Sequence, residues 1–273
     1  GASQEGLRDG TLNTDRFRNY FPDTVEEMIE QLDAAGGPST DPHYPMGWSM
    51  AGNAPFKRWK QDTHAGGNTD AFILSWPAKI KEHGGIRNQY HHIVDVVPTI
   101  LEVTGLPAPT TVNGTKQQSL PGVSMAYTFT DGEAKTRKKS QYYEMLGSRA
   151  IWADGWKAVV WHKKDTPYIE DKWELYNTDV DPTEFQDVAA ENPGKLKELQ
   201  DLWRTEAEAN SVFPLDDRRY ERVADPTRPV AALPRDEYTY YAGTSIVHPL
   251  AAPQLLGVEH TITAYLTIPA TGA

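Results

Sequence analysis

The chain has 273 residues, 38% hydrophobic and 24% charged, enough for one large domain or two small ones, and its 8 Trp and 13 Tyr argue against disorder. Its 27 Lys and Arg against 38 Asp and Glu give a net charge of -11, so no broad basic field exists to draw in nucleic acid or an anionic membrane, and an anionic substrate has to be held by a local feature. The absence of Cys excludes disulfides, thiolate metal sites and a cysteine nucleophile within these residues, and no apolar run approaches the ~20 residues of a membrane span.

In chain order, "GASQEGLRDGTLN" lacks an initiating Met, a signal-peptide pattern and any helix or strand period, and is expected to be an internal stretch of a longer protein. "DTVEEMIEQLDAAGG" predicts a helix with Asp23 as N-cap, Glu26 as its capping-box partner and Gly36 at the stop. "GGPSTDPHYPMGWSMAGNAP" predicts a long loop, rich in Pro and Gly, of the kind that often carries function. The next stretch groups Lys57, Arg58 and Lys60 before His64 and the Gly66-Gly67 pair. "AFILSWP" then predicts a short buried strand closed by Pro77. "VDVVPTILEVTGLP" predicts a second helix, with Asp95 capping, Pro98 tolerated in the first turn and Gly105 ending it.

From about Ser140 the texture changes to short strands. Asp154-Gly155 is a hairpin signal between "AIWA" and "WKAVVW", and "WELYN" reads as a further strand. "NPGKLKELQDLWRTEAEAN" predicts a helix with Asn192 as N-cap, Pro193 at N1, and Leu196, Leu199, Trp203 and Ala207 as its apolar stripe. These elements form an α+β unit, a small antiparallel sheet under one amphipathic helix. The expected organisation is therefore α/β over 1–139, the small sheet-plus-helix domain over 140–215, and over 216–273 a surface tail leading into a truncated β unit at "EHTITAYLTIPATGA".

Several groups are candidates for chemistry. Lys57, Arg58 and Lys60 on a loop that feeds a strand suit an anion, although such a cluster is also an ordinary solvated face. His91-His92 are adjacent and point in different directions, which disfavours a shared metal. Asp216 to Arg219 read as a surface loop in preference to a charge network, Asn113-Gly114-Thr115 fits the glycosylation pattern, and Asp179 to Asp181 lack the spacing of a calcium loop. On these residues alone the reading stops at an anion-binding α/β chain.

A family resemblance carries it further. "GNAPFKRWKQDTHAGGNTDAFILSWP" resembles the lysine loop of the formylglycine-dependent sulfatases. "RNQYHHIVDVVPTILEVTGLPAP", "VNGTKQQSLPGVSMAYTF", "QYYEMLGSRAIWADGWKAV" and "KWELYNTDVDPTEFQDVAAENPGKLKELQ" are similar, in the same order, to successive segments of bacterial arylsulfatases. The resemblance implies the C-terminal portion of an alkaline-phosphatase-like α/β fold with a partial mixed sheet, followed by the small α+β domain. It implies hydrolysis of a small sulfate monoester, an aryl sulfate, by a full-length enzyme, with Lys60 on the sulfate-binding lysine and His64, Trp48 and Asn53 lining the pocket.

The resemblance also implies a formylglycine nucleophile and a calcium ion. No Cys-x-Pro-Ser-Arg motif or close variant occurs here, and "GASQEG" resembles the segment just after the family's Asp-Asn metal pair, so both groups are expected upstream of Gly1 and no metal ligand is named within the chain. Ala65 stands where members commonly carry Glu, and Asn68-Thr69-Asp70 replaces a stretch that usually includes Arg and Pro. The alternatives are a phosphonate monoester hydrolase or phosphodiesterase of the same superfamily, or a non-catalytic scaffold.

Overall fold

A computed structural model describes residues 2–3, 8–14, 21–43, 45–219, 221–224, 235–242, 253, 255 and 259–267. The chain divides into two units, Gly1–Glu221 and Arg222–Ala273. The first helix, α1, runs over Val25–Glu30, and its N-cap is Thr24, not Asp23. Thr24 Oγ1 accepts from Glu27 N at 3.2 Å while Glu27 Oε2 accepts from Thr24 N at 2.8 Å. Asp23 is unavailable as a cap because its carboxylate already accepts from Thr11 Oγ1 and from the backbone of Leu12 and Asn13. Gly36 closes the region with φ +81, a conformation that glycine adopts without strain.

The stretch expected to be loop contains helix α2, Met46–Asn53. Its Gly and Ser content gives it little intrinsic propensity, and tertiary bonds compensate: Ser49 is buried, with Oγ donating to Ser3 O at 2.5 Å. A one-turn helix, α3, covers Ala65–Asn68. Ala71–Trp76 form no strand, and Phe72, Ile73 and Leu74 are exposed. A strand needs a partner for its backbone groups, and none lies beside this segment among the described residues.

Helix α4, Val96–Thr104, carries Pro98 in its first turn and ends at Gly105 with φ +69, as the sequence predicts. Asp95 stands at the N-cap position, as expected, but its side chain makes no cap bond to this helix. It is the acid of a capping box whose cap is His92, with His92 N donating to Oδ2 at 2.8 Å, while Oδ1 receives Lys138 Nζ and Val123 N, both at 2.8 Å. Burial works against this carboxylate, yet the donors outweigh it and hold its pKa well below the usual range. Two short strands follow, β1 (Thr111–Val112) and β2 (Thr115–Lys116), joined through Asn113-Gly114 with φ +48 and +78. The sequon thus sits at an exposed hairpin turn.

The chain is mixed α/β, and residues from Ser140 onward form the expected antiparallel sheet under one helix. Strands β3 (Ser140–Met145), β4 (Ser148–Ala153), β5 (Trp156–Val160) and β6 (Glu174–Asn177) pair in chain order, all antiparallel. The β4–β5 turn is Asp154-Gly155, with φ +45 and +80, the left-handed pair that such a two-residue hairpin requires. Helix α5, Pro193–Ala209, buries Leu199, Trp203 and Ala207 against Ile151, Ala153, Ala158 and Leu175. Asn192 precedes it without capping through its side chain, which donates to Val188 O. Each large side chain in that interface contributes about 1.5–3 kcal/mol by leaving water.

The opposite face of the sheet carries Tyr143, Ala150, Val159 and Tyr176 and is covered as well, so β4 is buried along its whole length. Because side chains alternate across a strand, β6 sends Leu175 to the helix and Glu174 and Tyr176 to the other side. In the second unit, the described residues Glu259–Thr267 form no strand and leave Ile262, Tyr265 and Leu266 exposed, with no partner strand described beside them. The rest of the expected β unit and the Pro- and Arg-rich stretch 225–234 lie outside the described residues.

Candidate functional site

The cation-bearing loop, residues 56–64, lies against the side of the sheet that α5 leaves open. Its shape depends on close backbone approach. A Cβ at Gly66 would sit 2.1 Å from Arg58 O and 2.4 Å from Lys57 O, and one at Gly67 would sit 2.0 Å from Asp62 O. The glycine pair therefore exists to let α3 pack on the loop, with Gly66 N donating to Lys57 O at 2.7 Å. Asn53 closes the arrangement: Nδ2 donates to Arg58 O and Gly66 O, each at 2.8 Å, and Oδ1 accepts from Ala2 N at 3.0 Å.

His64 is fully buried between two carboxylates. Nδ1 lies 2.8 Å from Asp62 Oδ1 and Nε2 lies 3.3 Å from Glu174 Oε2. Burial alone lowers an imidazole's pKa, but hydrogen bonds to Asp62 and Glu174 outweigh it and raise the value. Glu174 is the reciprocal case: burial pushes its pKa up, while His64 and the Tyr176 hydroxyl bring it down to about 2. Oε2 of Glu174 also receives Lys57 Nζ at 3.2 Å, and Lys57 in turn donates to Tyr176 OH at 2.6 Å. Arg58 pairs with Asp62 at 3.3 Å and lies over the Trp161 ring at 4.7 Å. Ala65 presents its backbone N–H to Glu184 Oε2 at 2.9 Å, and the other oxygen of this buried carboxylate meets Lys157 Nζ at 2.5 Å.

Lys60 has an exposed side chain, and its backbone N donates to Ala2 O at 2.9 Å. A cavity of about 500 Å³ on the same loop is lined by residues that include Phe56, Lys57, Arg58, Trp59, His64 and Glu174, and Lys60 is not one of its lining residues. The structure thus brings His64 to a cavity wall and makes Asn53 the clasp of the loop. Trp48 lies elsewhere, in a cavity of about 670 Å³ with Val25, Met28, Ile29, Leu32 and His43. The other sequence candidates have local partners: His91 contacts Asp95 and the Tyr127 hydroxyl, and Asp216 pairs with Arg218. Asp217 faces His162 and the backbone of Asp165.

Among the described residues, no group of three or more His, Asp or Glu side chains is arranged to hold a metal ion. Sequence reasoning missed Asp62, Glu174, Tyr176 and Glu184. Only Glu174 and Tyr176 left a usable signal, as two polar-tipped residues flanking Leu175 with the period of a two-faced strand.

Residues 60–210 match the family described as N-sulphoglucosamine sulphohydrolase, C-terminal. An uncharacterized sulfatase of Schizosaccharomyces pombe is 28% identical over 216 residues, which cover 78% of this chain and 37% of that protein. A sulfatase of Formosa agariphila is 24% identical over 153 residues, 52% of this chain and 27% of that protein. A solved 6S-sulf structure from the metabolism of glycosaminoglycans by Bacteroides thetaiotaomicron has a TM-score of 0.45 at 18% identity and covers 66% of this chain and 42% of its own. The chain spans well under half the length of the curated relatives it matches.

Proposed function

The chain belongs to the N-sulphoglucosamine sulphohydrolase C-terminal family and is a C-terminal sulfatase portion, and from that premise we propose that it serves a full-length hydrolase of sulfate monoesters in which Lys60 meets the sulfate. The observation that carries this reading is the family match itself, which begins at the lysine loop and runs through α5. Hydrolysis breaks an S–O bond, and negative charge grows on the leaving oxygen and the transferring group. A lysine ammonium held by a rigid loop acts there as a compact point charge already in place when the charge develops. The residues around Lys60 hold the loop, and the cavity walled by Phe56 and Trp59 gives an apolar surface against which the body of a substrate rests.

In this reading the nucleophile and the divalent cation come from residues other than those of this chain, and calcium is the ion the family resemblance favours. The substrate is an aryl sulfate in the reading from sequence. The family description favours a sulfated amino sugar instead. Relative turnover of 4-nitrophenyl sulfate and of glucosamine carrying N- or 6-O-sulfate separates these two, and an aryl phosphonate tests the superfamily alternative. The direct test of the site is Lys60→Ala in the full-length protein, which is expected to lower kcat by ~100- to 1,000-fold while leaving metal content unchanged. Near wild-type kinetics would remove the sulfate from this loop.

A further inference from the structure

The loop that carries Lys60 is fastened to the sheet on both sides of that lysine by one carboxylate oxygen. Oε2 of Glu174 takes Lys57 Nζ at 3.2 Å, three residues before Lys60, and lies 3.3 Å from His64 Nε2, four residues after it. The Tyr176 hydroxyl donates to the same oxygen. Glu174 sits on β6, whose Leu175 is buried in the core under α5, so its position is set by a strand held between the sheet and the helix. His64 extends the link, since Asp62 Oδ1 accepts both its Nδ1–H and its backbone N–H, and Asp62 also holds Arg58. A segment of a few residues pinned at both ends by a shared acceptor has little freedom at its middle.

We infer that Glu174 is a positioning residue for Lys60, acting through His64 and Lys57 to fix where the ammonium stands; the inference rests on the assignment of Lys60 to the sulfate. Charge supports the geometry. His64 faces Asp62 and Glu174 directly. Lys57, Arg58 and Tyr176 stand on those two carboxylates, and the Glu184–Lys157 pair lies beyond them. A protonated His64 completes an alternating row of anion, cation and anion, and its loss of charge at high pH loosens the fastening.

The test uses the full-length enzyme, 4-nitrophenyl sulfate as probe, and the variants Glu174→Gln, Lys60→Ala and their combination. A misplacement of about 1 Å in a group that contacts the reacting atoms costs up to ~100-fold, so Glu174→Gln is expected to lower kcat by ~10- to 100-fold. In the Lys60→Ala background the same change is expected to have no further effect, because there is no ammonium left to position. The alkaline limb of the kcat profile is expected to move to lower pH in Glu174→Gln, since His64 has lost one of its two anions, a response that a merely structural role would not produce. Losses that multiply in the double variant, or an unmoved alkaline limb, overturn the inference. Wild-type kcat in Glu174→Gln beside a crippled Lys60→Ala overturns it while sparing the sulfate assignment, whereas an active Lys60→Ala overturns both. Should Glu174→Gln fail to fold, His64→Gln enters the same cycle: no further loss is expected in the Lys60→Ala background and the alkaline limb assigned to His64 is expected to disappear, whereas losses that multiply or a retained limb overturn the inference.

Discussion

Replacing Gly66 by Ala tests whether the glycine pair sets the loop's shape. The added Cβ would lie 2.1 Å from Arg58 O and 2.4 Å from Lys57 O, both backbone atoms that cannot rotate away. Carbon and oxygen approach no closer than about 3.3 Å in the tightest ordinary contacts, so α3 and the loop must separate by roughly 1 Å. That separation stretches the Gly66 N to Lys57 O bond at 2.7 Å and the bond from Asn53 Nδ2 to Gly66 O at 2.8 Å. Each bond contributes about 1 kcal/mol net, and overpacking costs typically 1–3 kcal/mol, so a destabilisation of ~2–4 kcal/mol is expected. Because Lys60 lies between the displaced points, kcat should fall as well, by up to ~100-fold. The assay is the thermal midpoint and steady-state kinetics on 4-nitrophenyl sulfate in the full-length protein, with Gly47→Ala in α2 as control, where a Cβ meets nothing within 4 Å. Equal midpoints and equal kcat for Gly66→Ala and wild type would refute the account of the loop.

Thr24→Ala should cost ~1 kcal/mol by removing the cap of α1, and an unchanged urea midpoint would return the cap to another residue. Leu199→Ala removes a fully buried side chain between α5 and the sheet and should cost ~2–5 kcal/mol in the same measurement, a loss below 1 kcal/mol contradicting the packing described. For pH, the Glu174 carboxylate is lowered from 4.5 to about 2, so its contribution is complete above 4.5 and lost as pH falls toward 2; the raised His64 contributes fully below 6.5 and loses this as pH rises through its folded value. The thermal midpoint should therefore be highest between about pH 4.5 and 6.5 as far as this network decides it, and Glu174→Gln should flatten the acid side; an acid limb unchanged in the variant would remove Glu174 from the account.

The second half of the molecule was legible because local signals and tertiary demand agree there. Asp154-Gly155 needs left-handed backbone and has it, and the stripe of Leu199, Trp203 and Ala207 is the face the sheet buries. The first half was harder for a physical reason. Asp23 and Asp95 carry the right chemistry for caps, yet long-range donors claim their carboxylates, and nothing local announces Thr11 or Lys138. Likewise α2 is a helix despite two glycines because of Ser49 and Asn53 bonds to residues some 50 positions away. In the site, the cation cluster and the glycine pair were visible, but their partner Glu174 lies more than a hundred residues downstream, and sequence spacing alone does not bring it to His64.

In the proposed function, the two-sided sheet makes strand registration a condition for activity. Strand β6 is the last of its sheet, and beyond it Leu175 N meets Asp187 Oδ1 and Leu175 O receives Val188 N, both at 2.9 Å, which fixes it lengthwise. If β6 paired with β5 one residue out of step, Leu175 would be offered to His64 and a carboxylate would be pressed beneath α5. The slipped molecule would lose its core and the fastening of Lys60 together, so, with Lys60 on the sulfate as proposed, a wrongly paired chain would be silent rather than partly active.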